Sequence, residues 1–366
     1  MSHSTNITQK PATPGHLIAG LSLSYLIGIG LMTVLVIAGG IWNQLANSRI
    51  LSLLIEGGVV RYHDKQIGPI AGVLDLKYYV MSQDPVGWWV ALVAVALMFG
   101  YWFVKALQFH LCAREMGGDQ KVSNATKAYL YGQGVNRWMP FNFGDLAAAK
   151  ALSAESDAQS EDQVTGTVYL SRCMTFFEIA FFGLIGLFLI GWGDWTGLLF
   201  WPLVIFAASF FLIRFPGTWK GGLDHVAGRK LVFSWLRDRP LMAFGLALLS
   251  IIAFMLEHVA IYALSQAFSS ANVLLNIDFS VFMMALVAGM IARAIPITPG
   301  GLGQFEWGFA LAIYLSGTGM PEAVTVALLF AVLRYGVGFA LTAGIKLFQG
   351  LPISMRNVLD GVRVSS

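Results

Sequence analysis

Apolar residues run through this chain in long blocks, without the strict alternation or the narrow helical stripe of soluble elements. About 20 such residues cross the hydrocarbon of a bilayer. Six blocks reach or approach that length: Leu17–Trp42, Pro85–Val104, Thr167–Trp192, Gly197–Ile213, Leu241–Phe268 and Ala323–Phe348. The shortest, Gly197–Ile213, has Trp195 and Trp201 beside its start, as an interfacial belt requires. The first exceeds a signal-peptide core, and no small-residue cleavage site follows it, so it is expected to stay as a span.

Two further blocks are apolar but broken. Ser123–Ala151 is interrupted at Arg137–Gly144, and Phe279–Leu315 is interrupted at Pro296–Gly303. Proline lacks the N–H that a continuous helix needs. Irregular backbone survives at membrane depth only where protein or a wet cavity satisfies it. Each block therefore predicts a helix–break–helix hairpin, with Pro140 breaking the first and Pro296 and Pro299 the second.

Charge sets the topology. Arg214–Arg239 holds six basic residues and is expected on the cytoplasmic side, as are Lys105–Lys127 and the tail beyond Ala343. Gly193–Thr196, Ser269–Asp278 and Ser316–Glu322 hold no Lys or Arg and belong outside. The long, charge-balanced segment Asn43–Asp84 is placed outside as well. The first hairpin then enters from the cytoplasm and the second from outside. The expected fold is an all-α polytopic membrane protein with six full spans, two opposed re-entrant hairpins and an inverted repeat. Arg137, Pro140 and Gly144 recur as Arg293, Pro296 and Gly300 at one offset of 156 residues, on the two breaks that topology pairs. Inverted repeats with broken helices place the substrate of many transporters near the midplane.

The chain divides accordingly. Residues 1–16 form a cytoplasmic tail, and 17–213 the first membrane half, with external segment 43–84, hairpin 123–151 and the start of the second repeat. Residues 214–240 form a basic cytoplasmic loop, 241–349 the second half with hairpin 279–315, and 350–366 a cytoplasmic tail.

Composition narrows the class further. Of 366 residues, 57% are hydrophobic and 12% charged, and mean hydropathy is +0.68. A soluble domain carries roughly 25% charge. These values exclude a soluble enzyme, a disordered protein and a nucleic-acid binder. A net charge of +3 says little about partners, and Cys112 and Cys173 form no disulfide framework or metal spacing. No cofactor or metal is expected.

Charges within apolar blocks are the candidate chemistry, because each costs about 2.5–3.5 kcal/mol or more at a helix centre. They are Arg137, Asp145, Arg172, Glu178, Glu257, His258, Arg293, Glu306 and Arg334. Four arginines near two breaks suit an anionic headgroup, since guanidinium offers phosphate a planar fork of donors. The alternative is internal pairing, such as Arg172 with Asp145 or Arg334 with Glu306. Glu257 and His258 are either a proton relay or a polar tie between helices. Thr298-Pro299 reads as a helix start, and Gly300, Gly301 and Gly303 as an anion cradle or a tight turn. Asn142 reads as a cap for a helix whose first turn holds Gly144 and Asp145. Gly336, Ala340 and Gly344 read as a helix-packing stripe.

Pro296-Ile-Thr-Pro-Gly-Gly-Leu-Gly-Gln-Phe-Glu306, followed 28 residues later by Arg334, resembles the signature of the flippase-like domain family. This is the transmembrane region of lysylphosphatidylglycerol synthases and their stand-alone relatives. Asn136–Asp145 resembles that family's upstream Asn…Pro…Gly-Glu motif, with Asp in place of Glu, and Arg172 sits where the family carries an arginine. Asn43–Asp84 is longer than the family's usual connection, and no aminoacyl-transferase domain is expected.

The resemblance implies a flippase moving a lipid or lipid-linked glycan between leaflets of a prokaryotic inner membrane, both termini cytoplasmic. Arg137, Asn142, Gly144, Arg172, Arg293, Thr298, Gly300, Gly301 and Arg334 would hold the headgroup. Asp145, Glu178, Glu257, His258 and Glu306 would couple an ion or pair charge. The alternatives are a membrane-embedded component or partner of a lipid-headgroup-modifying enzyme and a non-transporting scaffold. A second copy of the chain or a lipid-biosynthetic enzyme are the expected protein partners.

Overall fold

The computed structural model describes residues 23–37, 85–118, 121–138, 143–154, 160–190, 225–269, 277–294 and 298–349. Among them every regular element is helical. They are α1 (Leu23–Ile37), α2 (Pro85–Glu115), α3 (Val122–Trp138), α4 (Phe143–Ala154) and α5 (Glu161–Ile190). After these come α6 (His225–Asp238), α7 (Pro240–Ser269), α8 (Phe279–Ala294), a 3₁₀ turn (Pro299–Gly301), α9 (Gln304–Leu315) and α10 (Met320–Gln349).

Proline opens α2 and α7 at the first helical position, where its missing N–H costs nothing. Both then run about 45 Å, longer than a bilayer's hydrocarbon is thick. Stretches of α2, α7 and α10 are long and apolar enough to cross a membrane. Their outward faces carry Trp89, Phe103, Leu241, Val332 and Phe339, all exposed, as lipid contact requires. Inside, α2 packs chiefly on α7, and α5 on α2, α7 and α8. Phe182 of α5 stacks on Phe254 of α7 with centroids 4.1 Å apart, and Phe305 of α9 meets Phe330 of α10 at 5.0 Å.

Both broken blocks fold as helix–break–helix pairs, with α3 packed on α4 and α8 on α9. Pro140, Asn142 and Pro296 lie outside the described residues, as do the proposed span Gly197–Ile213, segment 43–84 and both tails.

Three expectations need correction. Lys105 is not in a loop: α2 continues past Val104 to Glu115 and buries it. A single charge inside a long apolar run did not end the helix, because another buried charge meets it. The second hairpin's last helix starts at Gln304, not at Thr298-Pro299. Gly300, Gly301 and Gly303 have φ of 62°, 81° and 79°, left-handed backbone that the interior of an α-helix cannot hold, and Gly303 is the N-cap of α9. Gly336 and Ala340 pack against no described helix: among the described residues nothing lies within 4 Å of a Cβ built at Gly336, and Ala340 is exposed.

Close approach happens elsewhere. A Cβ on Gly144 would strike the Gly132 carbonyl and the Asn136 side chain, so α3 and α4 touch backbone to backbone. Gly144→Ala should therefore abolish a monodisperse peak in size-exclusion chromatography. Gly336→Ala should leave the peak intact and raise thermal stability slightly, by about 0.5–1 kcal/mol. Equal behaviour of the two variants would refute the packing described for the first hairpin.

Candidate functional site

Each break is stitched by one amide side chain. At the first, Asn136 Oδ1 accepts from the Gly144 amide at 2.7 Å, and its Nδ2 donates to Asp145 Oδ1 at 3.1 Å. Asn136 reaches from the end of α3 to the start of α4 and satisfies an amide that the helix leaves open. At the second, Gln304 Oε1 accepts from the Thr298 amide at 3.1 Å and from its hydroxyl at 2.8 Å. Gln304 Nε2 donates to the Ala292 carbonyl at 3.3 Å near the end of α8. Thr298 is buried and thus serves the loop itself. The Gly303 amide donates to Glu306 Oε2 at 2.7 Å, and the Gly301 amide to the Thr298 carbonyl at 3.1 Å. These two glycine amides are committed internally, which argues against a glycine-amide cradle there.

The two breaks meet. A Cβ on Gly300 would stand 3.2 Å from Arg137 Cα and 3.4 Å from the Tyr335 ring, and one on Gly301 would press on the Arg293 side chain. The glycines are needed because the chain passes against two arginines. Arg137 reaches into α10, where a Cβ on Gly338 would collide with its guanidinium. Its Nη1 donates to the Arg334 carbonyl at 2.6 Å and the Tyr335 carbonyl at 3.4 Å, and its guanidinium lies 4.6 Å from the Trp102 ring centre. A desolvated cation over a tryptophan gains about 2 kcal/mol.

Charge pairing separates the four arginines. Arg172 donates through Nε to Asp145 Oδ2 at 2.7 Å and through Nη2 to Oδ1, a bidentate pair. Arg334 faces Glu257, Nε to Oε1 at 3.5 Å, and lies 4.3 Å from the Phe305 ring centre. This replaces the expected pairing of Arg334 with Glu306. Arg137 and Arg293 have no carboxylate partner among the described residues. Arg137, Arg293 and Arg334 still lie within one electrostatic neighbourhood, and Arg172 lies near Arg293.

The remaining candidates divide by neighbour. Glu178 pairs with Lys105, both buried, joining α5 to α2. Gln108 extends that contact, donating to the Leu246 carbonyl at 2.8 Å and to Ser250 Oγ at 2.6 Å on α7. Adjacent Glu257 and His258 point to different partners: His258 packs against Phe254 and meets Phe279 edge-on, at 4.3 Å between ring centres. A cavity of about 30 Å³, room for roughly one water, lies among Lys105, Tyr129, Gln133, Asp145, Arg172 and Thr175. It is too small for a headgroup.

Lys105, Trp102, Tyr335, Gln304 and Gly338 were not candidates in the sequence reading, and Asn136 entered it only as the first residue of the Asn136–Asp145 motif. Lys105 carried a visible signal: Trp102-Phe-Val-Lys-Ala-Leu107 sets one charge within an apolar run. Trp102, Tyr335 and Gly338 carried none, because their roles depend on which helix Arg137 enters.

The sequence model of the lysylphosphatidylglycerol synthase transmembrane region matches residues 74–342, more than two thirds of the chain. The chain belongs to that family. No curated protein matches it. The family region takes in both hairpins, all four arginines and the Lys105–Glu178 pair, whereas α1 lies before it. Yet α1 touches the site's frame: Trp307 Nε1 of α9 donates to the Leu31 carbonyl at 2.8 Å. The family makes this a membrane protein related to lipid modification or transport.

Removing one partner of a buried ion pair strands the other charge, at about 3–5 kcal/mol. Lys105→Met and Glu178→Gln should each lower the thermal midpoint of detergent-purified protein strongly, and the double substitution should restore most of the loss. Additive losses would mean that the two side chains do not interact.

Proposed function

We propose that this protein is a lipid flippase that moves an anionic lipid, or a lipid-linked glycan carried on phosphate, between leaflets. The observation that carries this reading is the pair Arg137 and Arg293. Both residues sit where the two helix breaks touch, Arg137 extending its guanidinium to the Arg334 and Tyr335 carbonyls, and neither has a carboxylate partner among the described residues. Arg172 and Arg334 differ in that each is already neutralised by an acid. An unpaired guanidinium in a low-dielectric interior is costly. A phosphate oxygen pair offers the bidentate partner that offsets the cost.

In this reading the broken blocks are re-entrant hairpins entering from opposite faces, six helices span the membrane, and both termini are cytoplasmic. The membrane is a prokaryotic inner membrane. The headgroup crosses along the contact of the hairpins while its acyl or prenyl chains stay in lipid. Transport is passive or ion-coupled, and the chain works without a cofactor. Asp145 and Glu257 serve as counter-ions in the frame, keeping Arg172 and Arg334 placed behind the two open arginines.

Purified full-length protein in liposomes containing fluorescent phosphatidylglycerol tests the reading through loss of signal to an impermeant quencher. Arg293→Ala should slow the protein-dependent phase about tenfold or more, the loss of one charged contact to phosphate. Arg293→Lys should slow it several-fold, because ammonium cannot match the planar fork. Both variants should purify normally, since no ion pair is broken. A folded Arg293→Ala protein moving the lipid at the wild-type rate overturns the proposal. A lipid recovered with altered mass would favour the headgroup-modifying alternative. Orientation has its own check: a cysteine placed between Lys220 and Arg229 should resist labelling from outside intact cells, and ready labelling would reverse the topology.

A further inference from the structure

Two ion pairs away from the meeting of the breaks share one small space. The cavity of about 30 Å³ beside α5 is lined by Lys105, Asp145 and Arg172 together. Lys105 belongs to the pair with Glu178, and Asp145 and Arg172 form the other. Room for roughly one water separates the two pairs.

The pairs differ in kind. Arg172 grips Asp145 through two bonds, and a guanidinium does not give up its proton. Lys105 is a point charge on a flexible stem. Its Nζ donates to Glu178 Oε2 and, at 3.5 Å, to Gln108 Oε1, which leaves a third proton for the cavity. Glu178 is fully buried, yet its Oε1 accepts no hydrogen bond. The Ser250 hydroxyl beside it donates to the Met174 carbonyl at 3.3 Å and accepts from Gln108 Nε2 at 2.6 Å. Ser250 therefore has one lone pair left and no proton. It suits a protonated carboxyl and offers a carboxylate nothing. Among the described residues, the charged and titratable groups facing Glu178 are Lys105 and Tyr101 on α2, Tyr129 on α3 and Glu257 on α7. Glu257 is itself held by Arg334.

We propose that Glu178 is a proton site and that its proton crosses together with the anionic headgroup. The inference rests on the flippase reading and names the ion that drives it. A proton taken at Glu178 Oε1 forms an O–H that donates to Ser250 Oγ, and Lys105 loses its counter-charge. The ammonium keeps its three protons and moves across the space of one water to Asp145. Arg172, relieved as the partner of Asp145, turns to the phosphate beside Arg293, whose electrostatic neighbourhood it already shares. Lys105, Glu178, Asp145 and Arg172 sum to zero charge before this step and to one positive charge after it. The anion restores neutrality, which a low-dielectric interior favours. When the anion leaves, Lys105 returns to Glu178 and displaces the proton on the same side. A metal cation does not fit the role, because the ammonium stands where it would meet Glu178.

Full-length protein in liposomes tests this with fluorescent phosphatidylglycerol placed in the outer leaflet. An acid exterior should bring the lipid to protection from an impermeant quencher several-fold faster than equal pH, after subtraction of protein-free liposomes under the same gradient. Lys105→Met with Glu178→Gln removes both charges at once and should make the rate the same with and without the gradient. Ser250→Ala breaks no ion pair but removes the acceptor of the new O–H, so it should shrink the acceleration several-fold. A second measurement needs no transport. Detergent-purified wild type in weak buffer near neutral pH should take up about one proton per phosphatidylglycerol bound, read by an indicator dye, and the double variant none.

Wild-type transport that ignores the gradient, or a double variant that still responds to it, overturns the proton site and leaves the flippase reading standing. Equal proton uptake by the two proteins overturns it as well. Lipid movement no faster than in protein-free liposomes overturns the flippase reading and this inference with it.

Discussion

A charge buried among apolar helices must find a partner, and that requirement orders this molecule. Three buried pairs among the described residues discharge it, Lys105–Glu178, Asp145–Arg172 and Glu257–Arg334, and each joins two different helices. They bind α2 to α5, α4 to α5 and α7 to α10. Dispersion and lipid exclusion bring apolar helices together without strongly specifying rotation. A buried ion pair does specify rotation, because turning either helix strands both charges. With those helices locked, Arg137 and Arg293 are left over at the point where the broken segments touch. That neither meets a carboxylate among the described residues is a product of the pairing around them.

The breaks obey the same rule for backbone. A helix that stops inside protein leaves amides and carbonyls open. Asn136, near the end of α3, bonds across the first break to Gly144 and Asp145, and Gln304 bonds Thr298 and the Ala292 carbonyl across the second. Glycine then sets how near the strands of chain can come. Gly144 admits the Gly132 backbone, Gly301 admits the Arg293 side chain, and Gly338 leaves the space that the Arg137 guanidinium fills. In each case the atom absent from glycine is the room another group occupies. Membership of the lysylphosphatidylglycerol synthase transmembrane family covers this whole assembly but not α1, which reaches it through Trp307.

The pattern of apolar blocks located the apolar helices, but not α6, which lies in the basic segment 214–240 expected as a loop. Pro85, Leu241, Phe279 and Leu315 fall at or beside observed helix ends, since proline, charge clusters and glycine runs act locally on the backbone. Both breaks were legible for the same reason, as was the set of intramembrane charges, because a charge in an apolar run is visible without knowing the fold. The Asp145–Arg172 pair was named from the sequence as an alternative to ligand binding, and it forms.

Local signals say nothing about partners across space. Whether Arg334 meets Glu306 or Glu257 depends on how α9 and α10 rotate against α7, and the folded chain chose Glu257. Lys105 read as a loop charge until Glu178, 73 residues away, proved to face it. Gly338 carried no pattern of its own, because its importance comes from Arg137, 201 residues earlier in the chain. The sequence by itself determined which apolar segments are helices, where two of them break and which residues bear charge, since these follow from neighbours along the chain. Only the tertiary structure decided which charges cancel and which two remain open, because pairing is a property of helix packing and spans most of the molecule.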